Sequence, residues 1–303
     1  MQEGKRSRGT DDRFSGKVVA VTGGAVGIGW SIARAFADEG AFVFICDVNE
    51  VEGKRTEAEF CRDRLHAKYL CVDLMEKGAP QTMIRRIFES QARLDILINN
   101  ARAGRRTNLF DEAEDTWEEA ITVMLRAAFF ASQEAIHVMA QNDGGTIVNI
   151  SSIAAVETCH ESPAYHIAKA GLLQMTRYLA AHSGIYGVRV NALLPGFIVK
   201  DKDRAYYHSD DNQRYRMIAE FCHPLGQVGR CSDVANAVLF LCSPEASFIS
   251  GQCLMVDGGL SIQEQSGLVF RFDRERHSLG LSFFDIQSLF QVISVNTVPI
   301  FHL

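Results

Sequence analysis

Tyr165 and Lys169 stand four residues apart in AYHIAK, residues 164–169, at the start of a stretch with helical spacing. On a helix that spacing puts both side chains on one face, with the ammonium one turn along from the phenol. A tyrosine ionises near about 10, too high for a base at neutral pH, and a neighbouring ammonium lowers that value by stabilising the phenolate. Such a pair can take and return a proton, the task of a general acid/base. Ser152, 13 residues before Tyr165, offers a hydroxyl that can hydrogen-bond a substrate oxygen. Helices also carry Tyr and Lys at this spacing by chance. Meaning comes from the elements that position the three.

The first of these elements is a glycine turn, TGGAVGIG, at residues 22–29. Lys17-Val-Val-Ala-Val-Thr22 before it reads as a buried strand, and Ile28, Ile32, Ala33, Ala35 and Phe36 after it recur at helical spacing until Gly40. Phe42 to Asp47 reads as a second strand. In such a βαβ unit the helix N-terminus faces a crevice where free N–H groups and the dipole attract a pyrophosphate, and glycine lets it approach the backbone. The spacing is Gly23-x-x-x-Gly27-x-Gly29 rather than G-x-G-x-x-G, and Trp30 and Ser31 follow, not the lysine of a P-loop. Asp47 ends the second strand, 24 residues after Gly23. Its carboxylate suits the two hydroxyls of an adenosine ribose and repels a 2′-phosphate, and Val26 supplies no cation for one. The expectation is NAD(H) rather than NADP(H); a solvated loop acid is the bland reading of the same residue.

Further strands are expected over 68–74, 94–99, 145–151, 188–194 and 253–256, with helices over 79–92, 116–140, 163–186 and 232–242. Seven strands alternating with helices predict an α/β, doubly wound Rossmann-type fold, a parallel sheet with helices on both faces. With 303 residues, 47% of them hydrophobic, there is material for one sizeable core, placed over 15–261. Residues 1–14 are polar, lack an apolar h-region and read as a disordered leader. Residues 262–303 form an extension that starts charged (RFDRER, 271–276) and turns apolar, with Ile286, Leu289, Phe290 and Ile293 on one helical face and Pro299 as a stop. Its aromatics predict packing on its own body or a neighbouring subunit, and its apolar runs are too short to span a membrane. A net charge of −6 gives no attraction for nucleic acid or anionic membranes. Eight cysteines without a C-x-x-C pair read as free thiols of a cytoplasmic protein, and no metal ligand set is read.

Taken together, the chain resembles the short-chain dehydrogenase/reductase superfamily. TGGAVGIG matches its T-G-x-x-x-G-x-G turn, Asn99-Asn100-Ala101 its N-N-A-G motif, and Ser152 with Tyr165-x-x-x-Lys169 its catalytic set; Pro195-Gly196 and VDGG at 256–259 match as well. The resemblance implies Tyr165 as acid/base, Lys169 on the nicotinamide ribose and lowering the tyrosine pKa, and Ser152 on the substrate oxygen. It further implies a cofactor held by Gly23, Gly27, Ile28, Gly29 and Asp47, with Asp73 and Leu74 at adenine, Asn100 and Ala101 on the adenosine side, and Pro195, Gly196 and Ile198 at the nicotinamide. The implied reaction is hydride transfer between a secondary alcohol or its ketone and NAD(H), in a homotetramer or homodimer.

Three positions depart from the family pattern. Met124 stands where the family has an asparagine that helps hold a proton-relay water, and a thioether cannot donate. Arg102 replaces the glycine of N-N-A-G, with Arg105 and Arg106 behind it; these are either solvated loop arginines or a clamp for an anionic substrate. Lys200 replaces a threonine, in a polar, tyrosine-rich segment over 198–217 that reads as a substrate lid. Glu157 and His160 are further pocket candidates, and sequence adjacency alone does not make Cys159 and His160 a catalytic pair. Two alternatives stay open: a nucleotide-binding protein with weak or lost catalysis, and a non-redox dehydratase or epimerase.

Overall fold

Val18 to Thr22 offers no face to water, and it becomes a strand buried along its whole length. The computed structural model describes residues 13–264, 266–271 and 274. Its strands are β1 (Val18–Thr22), β2 (Phe42–Asp47), β3 (Ala67–Cys71), β4 (Ile96–Asn99), β5 (Gly145–Ile150), β6 (Val188–Pro195), β7 (Ile198–Val199), β8 (Gly229–Arg230) and β9 (Cys253–Val256). Seven make one sheet in the order β3-β2-β1-β4-β5-β6-β9, and β7 pairs with β8 apart from it. Every pairing in the large sheet is parallel, as the alternation of strands and helices predicts. The helices are α1 (Gly27–Asp38), α2 (Glu50–Arg62), α3 (Ala79–Gln91), α4 (Glu114–Ile121), α5 (Ala127–Met139), α6 (Pro163–Ser183), α7 (Arg204–Tyr207), α8 (Gln213–Cys222) and α9 (Cys231–Cys242).

Side chains of a strand alternate between faces, so β1 feeds two cores. Val19 and Val21 join Ile32 and Phe36 of α1 and Val234 and Val238 of α9. Val18 and Ala20 join Ile84 of α3, Ala131 of α5 and Leu172 of α6 on the other side. Phe14, at the end of the segment read as a leader, is only 2% exposed. Its ring meets Phe36 edge-on at 4.9 Å, so the core begins within that segment.

Several local expectations are corrected. The helix expected over 116–140 is α4 and α5 joined through a π turn, Thr122–Arg126, which holds Met124. A π turn inserts a residue into the helical ladder, which apolar periodicity does not reveal. α2 has no counterpart in the sequence reading because only Gly53, Thr56 and Phe60 of it are buried; its N-cap, Asn49 accepting from the Glu52 N–H, is the signal that was present. β3 ends at Cys71, leaving Asp73 and Leu74 in the following loop. The polar segment over 198–217 contains α7 and the start of α8, and Tyr207 within it is 2% exposed.

Residues 262–303 form a second unit. Within it 266–271 are helical, and the Glu264 carboxylate accepts from the Ser266 and Gly267 N–H groups at that start. The expected face of Ile286, Leu289, Phe290 and Ile293 lies outside the described residues, as do residues 1–12.

At the amino ends of the strands, Asp95 accepts from the Val18 N–H at 2.9 Å, from Lys17 at 3.0 Å and from Arg93 at 2.6 and 2.8 Å. Burial pushes its pKa up, but Arg93, the Val18 N–H and Lys17 together hold it below the ordinary value. A depressed carboxylate stabilises the fold above its unfolded pKa, and that contribution is lost as pH falls through the folded value. Asp95→Asn is expected to cost about 1–3 kcal/mol at neutral pH, with the gap to wild type closing below about pH 4, as read by denaturant melts.

Candidate active site

The glycine turn is fixed to the neighbouring strand end by one residue pair. Thr22 Oγ1 accepts from the backbone N–H groups of Asn100 at 2.9 Å and Ala101 at 3.1 Å. In return the Asn100 side-chain amide donates to the carbonyls of Thr22 at 3.0 Å and Gly23 at 3.1 Å. The packing excludes any side chain at Gly29, where a Cβ would sit 2.0 Å from the Gly23 carbonyl oxygen. Gly27 has φ +59 and opens α1, with the alkyl chain of Lys200 lying over it, 3.3 Å from where a Cβ would be. α1 has no side-chain cap at Val26 and no acid in its first turn. An uncapped helix N-terminus, a cradle that only glycine fits and an overlying lysine suit a dinucleotide diphosphate. Ile28 packs inward against the core.

Asp47, at the end of β2, accepts from the Ala25 N–H at 3.1 Å and the Asn49 N–H at 2.9 Å. It ties the turn to β2 and retains lone pairs for a ligand. Asp73 is exposed and accepts from the Met75 N–H at 2.8 Å; Leu74 is half-buried beside a small cavity that also meets Thr22, Ala101, Met124 and Lys169.

The three chemical candidates converge where β5 meets α6. Ser151 Oγ donates to the Lys169 carbonyl at 2.8 Å, and Ser162 caps α6 by accepting from the Tyr165 N–H at 3.1 Å. Ser152 Oγ accepts from the Ala154 N–H at 3.2 Å, and its hydroxyl is close enough to the Tyr165 phenol to lower the phenol's pKa. Lys169 Nζ lies 5.5 Å from the Tyr165 ring centroid and donates to the Ile150 carbonyl at 2.7 Å. Burial, then Arg102, drives the Lys169 pKa down to about 7, with Glu161 acting in the opposite sense. Burial raises the Tyr165 pKa, opposed by the Ser152 hydroxyl and by Arg102.

Arg102 does not stand open as a free clamp. Its guanidinium lies 4.8 Å from the Tyr165 ring centroid and donates to Glu161 at 2.8 Å, while Arg106 donates to the other Glu161 oxygen at 2.8 Å. Arg105 and His160 are exposed, and Glu157 is half-buried with its pKa raised by burial and by Asp257. Cys159 pairs with His166, not His160: its N–H donates to His166 Nε2 at 3.1 Å. Burial and Glu161 raise the Cys159 pKa, the wrong direction for a nucleophile.

Pro195 ends β6, and the Gly196 N–H donates to the Val256 carbonyl at 3.0 Å. A Cβ at Gly196 would fall 2.6 Å from Asp257 Cβ, so the PG and VDGG motifs pack on each other. Ile198 follows in β7, opposite Gly229. Met124 is 2% exposed. Beside it Asn99 spends its amide on Ser132 at 2.9 Å and Asn149 at 2.8 Å.

Sequence reasoning missed Glu161 and the Ile150 carbonyl. A lone loop acid carries no motif, and a backbone acceptor carries no residue signal. Among the described residues, no group of three or more His, Cys, Asp or Glu is placed to hold a metal, and no helix is long and apolar enough to cross a membrane.

The family model described as enoyl-(acyl carrier protein) reductase matches residues 23–261. A 3-oxoacyl-(acyl-carrier-protein) reductase of Chlamydia pneumoniae is 33% identical over 251 residues, 83% of this chain and 99% of that protein. A 7alpha-hydroxysteroid dehydrogenase of Bacteroides fragilis is 30% identical over 254 residues, 83% of this chain and 96% of its own. Among solved structures, a provisionally assigned short-chain alcohol dehydrogenase of Sinorhizobium meliloti has a TM-score of 0.75 and 33% identity, covering 84% of this chain and 100% of that one.

The buried ammonium has a pH signature. Between about 7 and the ordinary 10.5 the unfolded chain keeps the Lys169 proton that the native state sheds. Wild-type stability therefore rises with pH across that window on account of this group. Lys169→Met removes the slope: relative to wild type it is expected to be most stable at or below pH 7, losing roughly 1 kcal/mol of that advantage per pH unit toward pH 10 in denaturant melts.

Proposed function

We propose that this chain, which belongs to the short-chain dehydrogenase/reductase family of oxidoreductases, interconverts a secondary alcohol and its ketone using NAD(H), with Tyr165 as the acid/base. The observation that carries the reading is the convergence of Ser152, whose hydroxyl acts on the Tyr165 phenol, with Lys169, whose ammonium lies 5.5 Å from the Tyr165 ring centroid. A bound nicotinamide dinucleotide supplies the hydride acceptor or donor. Ser152 and Tyr165 hold the substrate oxygen between two hydroxyls. Tyr165 gives that oxygen its proton when a ketone is reduced and takes it back when an alcohol is oxidised. The names of the two relatives, a 3-oxoacyl reductase and a hydroxysteroid dehydrogenase, share this reaction class.

Asp47 favours NAD(H) because a carboxylate repels a 2′-phosphate, and Val26, 43% exposed, offers no cation in compensation. The Lys200 alkyl chain lies over Gly27, which supports a cationic side chain beside the proposed diphosphate seat. The eight free thiols support a reducing, cytoplasmic setting, and the family resemblance favours a homodimer or homotetramer. Met124 favours a second reading, tight cofactor binding with slow turnover, since this buried thioether cannot hand on a proton.

A panel of alcohols and ketones scored by NADH absorbance, with NADP(H) in parallel, tests the assignment. Tyr165→Phe is expected to lower kcat/KM by about 10²–10⁴ while leaving the cofactor Kd within a few-fold. Unchanged turnover in that variant would sink the role of Tyr165, and a strict NADP(H) preference would sink that of Asp47. Met124→Asn separates the readings: a rise of about tenfold in kcat without a change in cofactor Kd marks a missing relay. No rise assigns Met124 to packing.

A further inference from the structure

Arg102 occupies a position where the family carries a residue without a side chain, and its guanidinium, although its side chain is 33% exposed, is fixed by an ion pair. Glu161, its side chain 11% exposed, bridges Arg102 and Arg106, each at 2.8 Å. The bridge spans two loops, the one leaving β4 and the one entering α6. It lays the Arg102 guanidinium 4.8 Å from the Tyr165 ring centroid, nearer than the Lys169 ammonium at 5.5 Å.

The charges around Tyr165 can be taken element by element. Its own helix contributes Lys169 and the His166 ring, 6.3 Å away between centroids. His166 Nε2 lies 3.1 Å from the Cys159 N–H, and its Nδ1 2.9 Å from the Ser162 carbonyl. The loop before α6 contributes Glu161 and Cys159, whose thiol is held protonated by burial and by Glu161. The end of β5 contributes the uncharged Ser152. α4 packs Trp117 and Ile121 into the same cluster, both uncharged. The loop after β4 contributes Arg102.

Of the two cations, Lys169 is the weaker support. Its ammonium is buried, is turned toward the Ile150 carbonyl, and is driven to about 7 by burial and by Arg102 itself. Both effects disfavour its charged form. A guanidinium stays protonated throughout the working range. We propose that Arg102, pinned by Glu161, is a positioning residue for proton transfer, supplying the permanent positive charge beside the Tyr165 ring that Lys169 alone does not. The proposal rests on the reading of Tyr165 as the acid/base. It assigns Glu161 two effects of opposite sign, fixing the guanidinium in place and partly cancelling its charge.

The test is an ultraviolet difference titration of the Tyr165 phenolate in the full-length protein, with the Tyr165→Phe titration subtracted. It is run beside the pH profile of kcat/KM. Arg102→Gln is expected to raise the phenolate midpoint by roughly one pH unit or more and to move the matching limb of the kcat/KM profile by the same amount. Arg102→Lys, which restores the charge without the planar fork, is expected to return most of that shift. Glu161→Gln keeps an acceptor for the arginine and removes the opposing charge, so its midpoint is expected to lie at or below that of wild type. A midpoint unmoved by Arg102→Gln, or one raised equally by Arg102→Gln and Arg102→Lys, overturns the proposal in favour of a structural role. The titration needs no turnover. Loss of the acid/base assignment through an active Tyr165→Phe protein is therefore a separate outcome from loss of the Arg102 effect.

Discussion

A parallel sheet buried on both faces leaves its strands no room for polar chemistry, and that constraint organises the whole molecule. The core residues of β1, β2, β4, β5 and β6 are shared between two apolar layers, so reactive groups gather where the strands end. Thr22, Asp47, Asn100, Ser152 and Pro195 all lie at or just beyond carboxyl ends of strands. Asn99 and Asn149, within the sheet, are tolerated because the first donates to the second at 2.8 Å and the second to Thr176 at 2.8 Å. At the opposite ends the charged group of Lys17, Arg93 and Asp95 is spent on holding β1 in register. The same sheet thus has a structural end and a chemical end.

What the sequence made legible follows from that constraint. Buried strands must be continuous apolar runs, so the inner strands could be read from KVVAVT, FVFICD and their successors, and the edge strands β3 and β9, largely open to water, from their place in the alternation. A tight strand-to-helix turn must be glycine, so the turn at 22–29 could be read as well. α2 escaped because a helix lying on a sheet edge buries only Gly53, Thr56 and Phe60 and shows almost no apolar stripe. The π turn escaped because one inserted residue leaves the hydrophobic period nearly intact. The partner of Arg102 escaped for another reason. Arg102 and Glu161 are 59 residues apart and meet only once β4 and β5 are neighbours in the sheet.

The two added cations, Arg102 and Lys200, act on each other. Burial and Arg102 lower the pKa of Lys169, and burial, Lys202 and Arg102 lower that of Lys200, so Arg102 repels both lysines. Glu161 answers part of that charge, but it is shared between Arg102 and Arg106 and leaves the group net positive. Such a cluster is costly while only water faces it and becomes favourable once negative charge enters. The cradle at Gly27, beneath the Lys200 alkyl chain, is a place for that charge, and the Arg102 guanidinium lies over the face of the Tyr165 ring. Negative charge brought to the Gly27 cradle would offset the repulsion between Lys200 and Arg102.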